Sequence, residues 1–186
     1  MERNPDKVAL LFPGYAYSPD RPLLYYSGEV FAKHGWTTQE VWWREAPPER
    51  GEDLADWFAH LRSFTHAYVL EALERETAPT IALVGKSMGA NAATMAADRG
   101  LPGIWLTPVL HDTALVTDLR RGTAPFLLVG GTADRGWDSE LAHSFGQPVH
   151  EAPNADHSLE ISDDPVASVE VLRGATIAID AFVRSL

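Results

Sequence analysis

A serine between two glycines is the residue of this sequence best suited to chemistry. Ser87 stands in the pattern Gly-x-Ser-x-Gly over residues 85–89, directly after an apolar, β-rich run and before a helix-compatible segment. Glycine has no Cβ, so the chain can turn sharply from strand to helix and present the hydroxyl to a base and a substrate. The pattern predicts a nucleophile elbow, in which the backbone N–H of Met88 faces any negative oxygen beside Ser87.

Two other interpretations of this segment need weighing. Gly85, Lys86 and Ser87 match the end of the phosphate-binding pattern G-x-x-x-x-G-K-[ST], but its first glycine would fall on Thr80. Without that glycine there is no loop of amides to hold a phosphate, so this interpretation is excluded. A glycine-flanked serine in an ordinary strand-to-helix turn stays open on these residues alone.

A serine hydroxyl needs a base, and His157 is the predicted one. It lies in the loop that follows the last strand-like run, residues 148–151. Of the other six histidines, His34, His60, His66 and His143 fall in predicted helices, His150 falls within the strand, and His111 follows the run 103–107. His111 is therefore the alternative base, and it could equally line the substrate pocket.

A carboxylate usually orients such a histidine, and Asp134 is the candidate. It follows the apolar run 125–129 and a glycine turn, which delivers it to the same edge of a sheet. Asp138, four residues further, could replace it. Asp156 is more simply a loop residue, because the side chains of sequence neighbours rarely face each other. The resulting chain order is Ser, Asp, His, which is the order expected of one fold.

The elements that must position these residues alternate regularly. Strands are predicted at residues 7–12, 37–43, 80–84, 103–107, 125–129 and 148–151, and helices at 22–34, 52–76, 87–99, 112–121, 138–145 and 165–186. This alternation predicts an α/β fold: a three-layer, doubly wound, six-stranded parallel sheet with helices on both faces. Ligands bind such a sheet beyond the carboxyl ends of its strands, where the candidate residues lie.

Length and composition limit the possible partners. The 186 residues, 45% of them hydrophobic, predict a single domain over residues 1–186. The formal net charge of -11 argues against nucleic acid and against anionic membrane surfaces. The apolar segment 8–12 is too short for a signal peptide, and no run approaches the ~20 residues of a membrane span. We therefore expect a cytoplasmic protein.

The sequence contains no residue pattern that indicates a cofactor or metal site. The chain has no cysteine, which excludes disulfides, thiolate metal sites and a cysteine nucleophile. It also has no His-x-x-x-His helix pair and no carboxylate cluster with ligand spacing. We therefore expect the protein to use no cofactor and no metal ion.

Four short motifs together resemble the α/β-hydrolase superfamily. They are Leu-Phe-Pro-Gly-Tyr at residues 11–15, Gly-Lys-Ser-Met-Gly at 85–89, Gly-Gly-Thr-Ala-Asp at 130–134 and Asp-His-Ser at 156–158. The resemblance covers nearly the whole chain, and it is to small lid-less members of the dienelactone-hydrolase-like and esterase type. It implies a serine hydrolase of carboxylic esters or thioesters that works through a Ser-Asp-His triad and an acyl-enzyme.

The resemblance also implies details of the site. The second backbone N–H of the oxyanion hole would come from Tyr15 or Ala16, although no histidine precedes Pro13 as in the common pattern. The usual two leading antiparallel strands are missing, which makes this a trimmed version of the fold. Residues 108–124 leave room for one helix rather than a lid domain. The site should therefore be open and shallow.

Substrate contacts are predicted from position at the strand ends. The candidates are Tyr17, Trp43, Arg44, Leu110, His111 and Trp137. Either Arg44 or Arg135 could pair with a substrate carboxylate, and Lys86 is expected to point outward along the elbow. The predicted partner is a small-molecule ester, and the predicted state is a monomer or homodimer. A catalytically silent binding or scaffold protein of the same fold is the alternative, although a complete Ser-Asp-His set argues against it.

Overall fold

A parallel six-stranded sheet forms the centre of the computed structural model, which describes residues 4–186. Residues 1–3 of the predicted domain lie outside the described part. The strands are β1 (Asn4–Phe12), β2 (Trp36–Glu40), β3 (Thr80–Lys86), β4 (Gly103–Leu106), β5 (Phe126–Gly131) and β6 (Val149–Ala152). They lie in the order β2-β1-β3-β4-β5-β6, which is the order of a doubly wound sheet.

Within residues 4–186, six α-helices cover the two faces of this sheet. They are α1 (Pro22–Lys33), α2 (Leu54–Arg75), α3 (Ala93–Arg99), α4 (Thr113–Arg121), α5 (Ser139–Ser144) and α6 (Pro165–Val183). Between β4 and β5 the chain forms only α4, as the length of that connection predicts. The predicted α/β class and its parallel sheet are confirmed.

Local chemistry sets where these helices begin. Asp53 caps α2 by accepting hydrogen bonds from the N–H groups of Ala55 and Asp56. Asp112 and Asp138 cap α4 and α5 in the same way. Short polar side chains are favoured there because the first N–H groups of a helix have no partner within it.

Several element bounds differ from the sequence prediction: β1 begins at Asn4 rather than at residue 7, and α6 ends at Val183 rather than at residue 186. Two further differences lie close to the candidate residues. The second strand ends at Glu40, three residues earlier than expected, so Trp43 lies in the following loop. The segment after β3 first forms a 3₁₀ helix, Ser87–Ala92, and only then α3. A Cβ at Gly89 would lie 2.3 Å from the carbonyl oxygen of Phe12, so the tight first turns bring the elbow against the end of β1.

Alternate residues of each strand face two separate cores. Ala9 and Leu11 of β1 pack toward α1 and α6, and Val8 and Leu10 pack on the other face toward α2 and α3. Both faces are buried, which explains why the strands are nearly continuous apolar runs. No helix within residues 4–186 is long and apolar enough to cross a membrane.

The register of the strands brings their carboxyl ends to one edge. Phe12 of β1 pairs with Gly85 of β3, and Gly131 of β5 pairs with Ala152 of β6. The loops that follow these strands carry the residues expected to do chemistry. The sheet thus brings together residues that are far apart in the chain, such as Ser87 and His157, which are 70 positions apart.

Candidate active site

Ser87 occupies the sharp turn between β3 and the 3₁₀ helix. Its φ of 51° lies in the left-handed region, which residues other than glycine rarely adopt. A Cβ at Gly85 would come within 2.3 Å of the carbonyl oxygen of Gly89. Both glycines of the pattern are therefore needed for the close approach of helix and strand. Backbone strain of this kind is common at functional positions, where it presents one side chain to the site.

Ser87, His157 and Asp134 lie in one hydrogen-bonded chain. Nε2 of His157 is 2.7 Å from Oγ of Ser87, and Nδ1 of His157 is 2.7 Å from Oδ2 of Asp134. The Asp134 side chain is 3% exposed, whereas His157 is 42% exposed toward solvent. With Nδ1–H donating to the carboxylate, Nε2 is free to accept the serine proton. The arrangement can transfer a proton from the hydroxyl to the imidazole.

The alternative acids and base have other partners. Asp138 accepts the N–H of Leu141 at the start of α5, and Asp156 accepts the N–H of Ser158. His111 lines the same cavity as Ser87, but its Nε2 lies 2.8 Å from the carbonyl oxygen of Arg135, to which it donates. These residues therefore have structural partners of their own.

The loop after β1 runs beside the elbow. Its turn is closed by a hydrogen bond from the N–H of Gly14 to the carbonyl of Tyr17, 2.9 Å long. Tyr15 lines the cavity that contains Ser87 and Met88, whereas Ala16 lines a neighbouring surface depression. Of the two expected oxyanion donors in this loop, Tyr15 has the position nearer to the cavity.

The cavity above Ser87 has a volume of about 660 Å³. One wall is apolar and comes from α2, with Leu54, Trp57, Phe58 and Leu61. The opposite wall includes Val109 and Leu115. Tyr15 meets Trp57 edge to face, with ring centroids 6.1 Å apart. This volume is within the range of small-molecule sites.

The α2 wall was missed by the sequence analysis. The missed residues are spaced as i, i+3, i+4 and i+7 on one helix face, a pattern that also describes an ordinary core-facing stripe. Leu54 is 45% exposed, which shows that the stripe begins at the surface rather than in the core. Two arginines, Arg50 and Arg135, also line the cavity, and Arg50 lies over the Trp57 ring at 5.6 Å.

Of the six predicted substrate contacts, only His111 lines this cavity. Tyr17 is buried, and its hydroxyl accepts the N–H of Leu23. Trp43 donates from Nε1 to the carbonyl of Gly14 and packs against Tyr68. Both residues support the loop after β1 from behind, so they do not face the cavity.

The other three are likewise directed elsewhere. Arg44 makes a two-pronged ion pair with Glu71, which raises its pKa above the usual range. Leu110 is 3% exposed and belongs to the core beneath α4. Trp137 packs on Gly130, and its Nε1 donates to Glu151. Each of these residues was predicted because it lies near a strand end. In the structure each side chain packs against other residues and does not face the cavity.

Lys86 also differs from its prediction. Its side chain is buried rather than pointed outward, with 3% exposure, and its ammonium lies 4.9 Å from the centre of the Tyr17 ring. Burial lowers the pKa of Lys86 to about 8, while the carboxylates of Asp134 and Asp156 act in the opposite direction.

Within residues 4–186, no group of three or more His, Asp or Glu side chains is arranged to hold a metal ion. Besides the polar groups already described, Asn91 and Asp112 line the cavity, and Nδ2 of Asn91 donates to the carbonyl of Met88.

Comparison with known proteins bears on the fold. No family model matches the sequence, and no curated protein matches it. Est1E from Butyrivibrio proteoclasticus with ferulic acid bound is similar in structure, with a TM-score of 0.69 and 15% identity over 98% of this chain and 90% of that chain. An alpha-beta serine hydrolase homologue from Coxiella burnetii gives a TM-score of 0.64 and 16% identity, covering 100% of this chain and 87% of its own.

A serine hydrolase without lid from Xanthomonas campestris is also similar. Its TM-score is 0.65 and its identity 16%, over 97% of this chain and 82% of that chain. At such low sequence identities the similarity shows the fold alone, and it does not show that the proteins catalyse the same reaction. The strand order agrees with these structural similarities, and no insertion is present between β4 and β5. We therefore conclude that the chain has the α/β-hydrolase fold in a trimmed, six-stranded form without a lid domain.

Proposed function

We propose that this chain is a serine hydrolase of carboxylic esters or thioesters. The observation that carries the proposal is the hydrogen-bonded chain from Ser87 through His157 to Asp134, with the serine held at a φ of 51°. Nucleophile, base and orienting acid are the three parts that a hydroxyl needs to attack a carbonyl. The proposal includes a single catalytic domain over residues 1–186 and no cofactor, because the triad chemistry uses none.

The first half of the reaction forms an acyl-enzyme. Oγ of Ser87 attacks the carbonyl carbon while Nε2 of His157 takes the hydroxyl proton. The carbonyl oxygen gains negative charge, which the N–H groups of Met88 and of Tyr15 or Ala16 stabilise. The bond to the leaving group then breaks, and His157 returns the proton to the departing alkoxide or thiolate.

The second half releases the acid. A water molecule gives a proton to Nε2 of His157 and attacks the acyl carbon. The bond to Oγ of Ser87 breaks, and the histidine returns the proton to the serine. Asp134 stays ionised throughout, because its role is to orient the imidazole and to stabilise the imidazolium.

The cavity favours a substrate with a compact apolar or aromatic part. Trp57 and Phe58 offer ring faces, and Arg50 and Arg135 are cations that a substrate carboxylate or phenol could approach. The similar Est1E structure holds ferulic acid, an aromatic acid. We therefore include methyl ferulate beside short alkyl esters in the set of test substrates.

A fluorophosphonate probe tests the proposal directly. The purified protein is expected to form a covalent adduct of 1:1 stoichiometry on Ser87, detected by intact mass and peptide mapping, whereas Ser87→Ala stays unmodified. Hydrolysis of p-nitrophenyl acetate and of methyl ferulate is measured on the same samples. A folded protein that neither reacts with the probe nor hydrolyses any ester would instead favour the silent binding or scaffold protein.

A further inference from the structure

We propose that Lys86 is a positioning residue, which holds the Gly14–Tyr17 turn against the elbow and supplies a buried positive charge beneath the catalytic groups. The inference rests on the proposed function, because it concerns the rate of the same reaction. Lys86 directly precedes Ser87 and is the last residue of β3. It was expected to face solvent, and its burial needs an explanation.

The course of the side chain supplies the first argument. Lys86 lies on the same face of β3 as Ala82 and Val84, which pack in the core below α1 and α6. Its Cδ passes beneath Gly14, since a Cβ built on that glycine would lie only 3.1 Å away. Its ammonium then reaches the Tyr17 ring, at 4.9 Å from the ring centre. The lysine therefore contacts both ends of the turn that carries Tyr15 and Ala16.

The turn is also held from its other sides. Trp43 donates from Nε1 to the carbonyl of Gly14 at 3.0 Å. The hydroxyl of Tyr17 accepts the N–H of Leu23 in the first turn of α1 at 3.0 Å. Lys86 completes this support from below, in the space between the turn and β3. An N–H donor that must meet a developing oxyanion depends on such fixed surroundings, because a displacement of about 1 Å can reduce the rate 100-fold.

The charge supplies the second argument. A buried ammonium costs folding free energy unless it has partners, so an apolar side chain would stabilise this position better. The groups that face Lys86 and Tyr17 are Arg21, Asp134, Asp156 and Glu160, with His157 adjoining Asp134. A positive charge among these groups attracts the negative charge that develops on the substrate oxygen.

The charge of Lys86 is lost within an accessible pH range. Burial lowers its pKa to about 8, whereas burial raises that of Tyr17, so the ring stays neutral as the lysine titrates. Above that pH the neutral amine attracts the ring face and the oxyanion less strongly. We therefore expect kcat to fall as the pH rises through about 8.

Two substitutions separate the charge of Lys86 from its volume. Lys86→Met keeps an unbranched side chain of similar length without charge, and kcat for p-nitrophenyl acetate is expected to fall about tenfold with little change in KM. Lys86→Arg keeps a cation that does not titrate, so its kcat is expected to stay high above pH 8. Lys7→Met is the matched control, because Lys7 lies over the Trp36 ring at 5.2 Å in β1, away from the elbow. It should retain the wild-type kcat and pH profile.

A second measurement does not depend on activity. Amide hydrogen exchange at Gly14 and Leu23, which take part in the hydrogen bonds of the turn, is expected to be at least tenfold faster in Lys86→Met than in wild type. The inference is overturned if Lys86→Met keeps the wild-type kcat and alkaline decline, or if exchange at both amides is unchanged. Should wild type fail to react with the fluorophosphonate, the proposed function fails, and the exchange measurement alone decides whether Lys86 positions the turn.

Discussion

Asp134 holds His157 with one carboxylate oxygen and its own loop with the other. Oδ2 lies 2.7 Å from Nδ1 of His157, and Oδ1 accepts the N–H of Gly136 at 2.8 Å. The carboxylate is therefore fixed on both sides before any substrate is bound. A neutral amide in its place would still fit the loop but could present an N–H to the imidazole and select the wrong tautomer.

Asp134→Asn is accordingly expected to lower kcat by about 10³ to 10⁴ while the protein stays folded. The matched control is Asp138→Asn, because Asp138 caps α5 and asparagine caps a helix about as well. Both are measured with p-nitrophenyl acetate and by thermal unfolding. A large loss in Asp138→Asn with none in Asp134→Asn would exchange the roles of the two carboxylates.

Ser87→Ala should abolish covalent reaction with a fluorophosphonate and lower ester hydrolysis by a factor of about 10³ or more. The physical reason is the loss of the only hydroxyl that His157 contacts among the described hydrogen bonds. Ser158→Ala removes a neighbouring loop hydroxyl that faces a different cavity, and it should keep wild-type activity. Undiminished hydrolysis in Ser87→Ala would refute the assigned nucleophile.

Substrate preference should follow the wall formed by α2. Short acyl esters are expected to be hydrolysed faster than esters with acyl chains beyond about ten carbons, because an open cavity cannot bury a long chain. Trp57→Ala should raise KM for methyl ferulate about tenfold or more and affect p-nitrophenyl acetate less, since a buried aromatic contact contributes roughly 1–3 kcal/mol. Trp42→Ala is the control, because Trp42 is 50% exposed and lies outside this cavity. A preference for long acyl chains would contradict the open site.

Stability should depend on pH through Lys86. Its pKa is about 8 in the folded protein against the ordinary value of 10.5, so the unfolded chain binds more protons between these values. The free energy of unfolding should therefore rise with pH across that window, by on the order of 3 kcal/mol from this group. Lys86→Met should be more stable than wild type at pH 7, and the difference should shrink toward pH 10.5. Urea unfolding at both pH values measures it, and a pH-independent difference would mean that burial does not lower the pKa of Lys86.

An ion-pair network around the buried carboxylate of Asp118 should contribute more to the free energy of unfolding than exposed ion pairs do. Asp118 is 6% exposed in its side chain and pairs with Arg62 and with Arg121, while accepting a hydrogen bond from Thr94. Asp118→Ala would remove the carboxylate partner of Arg62, whose side chain is only 19% exposed, at an expected cost of about 3 kcal/mol in unfolding free energy. Asp98→Ala removes a 55% exposed partner of Arg121 and should cost less than about 1 kcal/mol. Similar losses in the two variants by urea unfolding would contradict this view.

The sequence alone determined the architecture and the residues that meet at its edge. The apolar runs with helical segments between them allow few arrangements besides a parallel sheet, and the carboxyl ends of parallel strands lie together. Ser87, Asp134 and His157 lie in the turn or loops that follow such runs, so their proximity could be predicted without coordinates. Their catalytic roles stay predictions that the experiments above will test.

The tertiary structure alone decided which side chains surround Ser87. Trp43, Leu110 and Trp137 lie near strand ends but turn into supporting contacts, whereas Trp57 and Phe58 reach the cavity from α2. The spacing of apolar residues in the sequence predicts which residues share one face of a helix. It does not predict which element or cavity lies opposite that face. The direction of a side chain depends on where neighbouring layers leave space.

The burial of Lys86 is a further property that the sequence alone could not predict. Its position two residues after Val84 assigns it to the α1 and α6 face of the sheet, which the strand periodicity alone could predict. Whether that face is covered at the last residue of the strand depends on the Gly14–Tyr17 turn, which arrives from β1 more than 60 positions earlier in the chain. The sequence thus determined the fold and the order of the reactive groups, while long-range packing determined the burial, the pKa and the contacts that decide how those groups work.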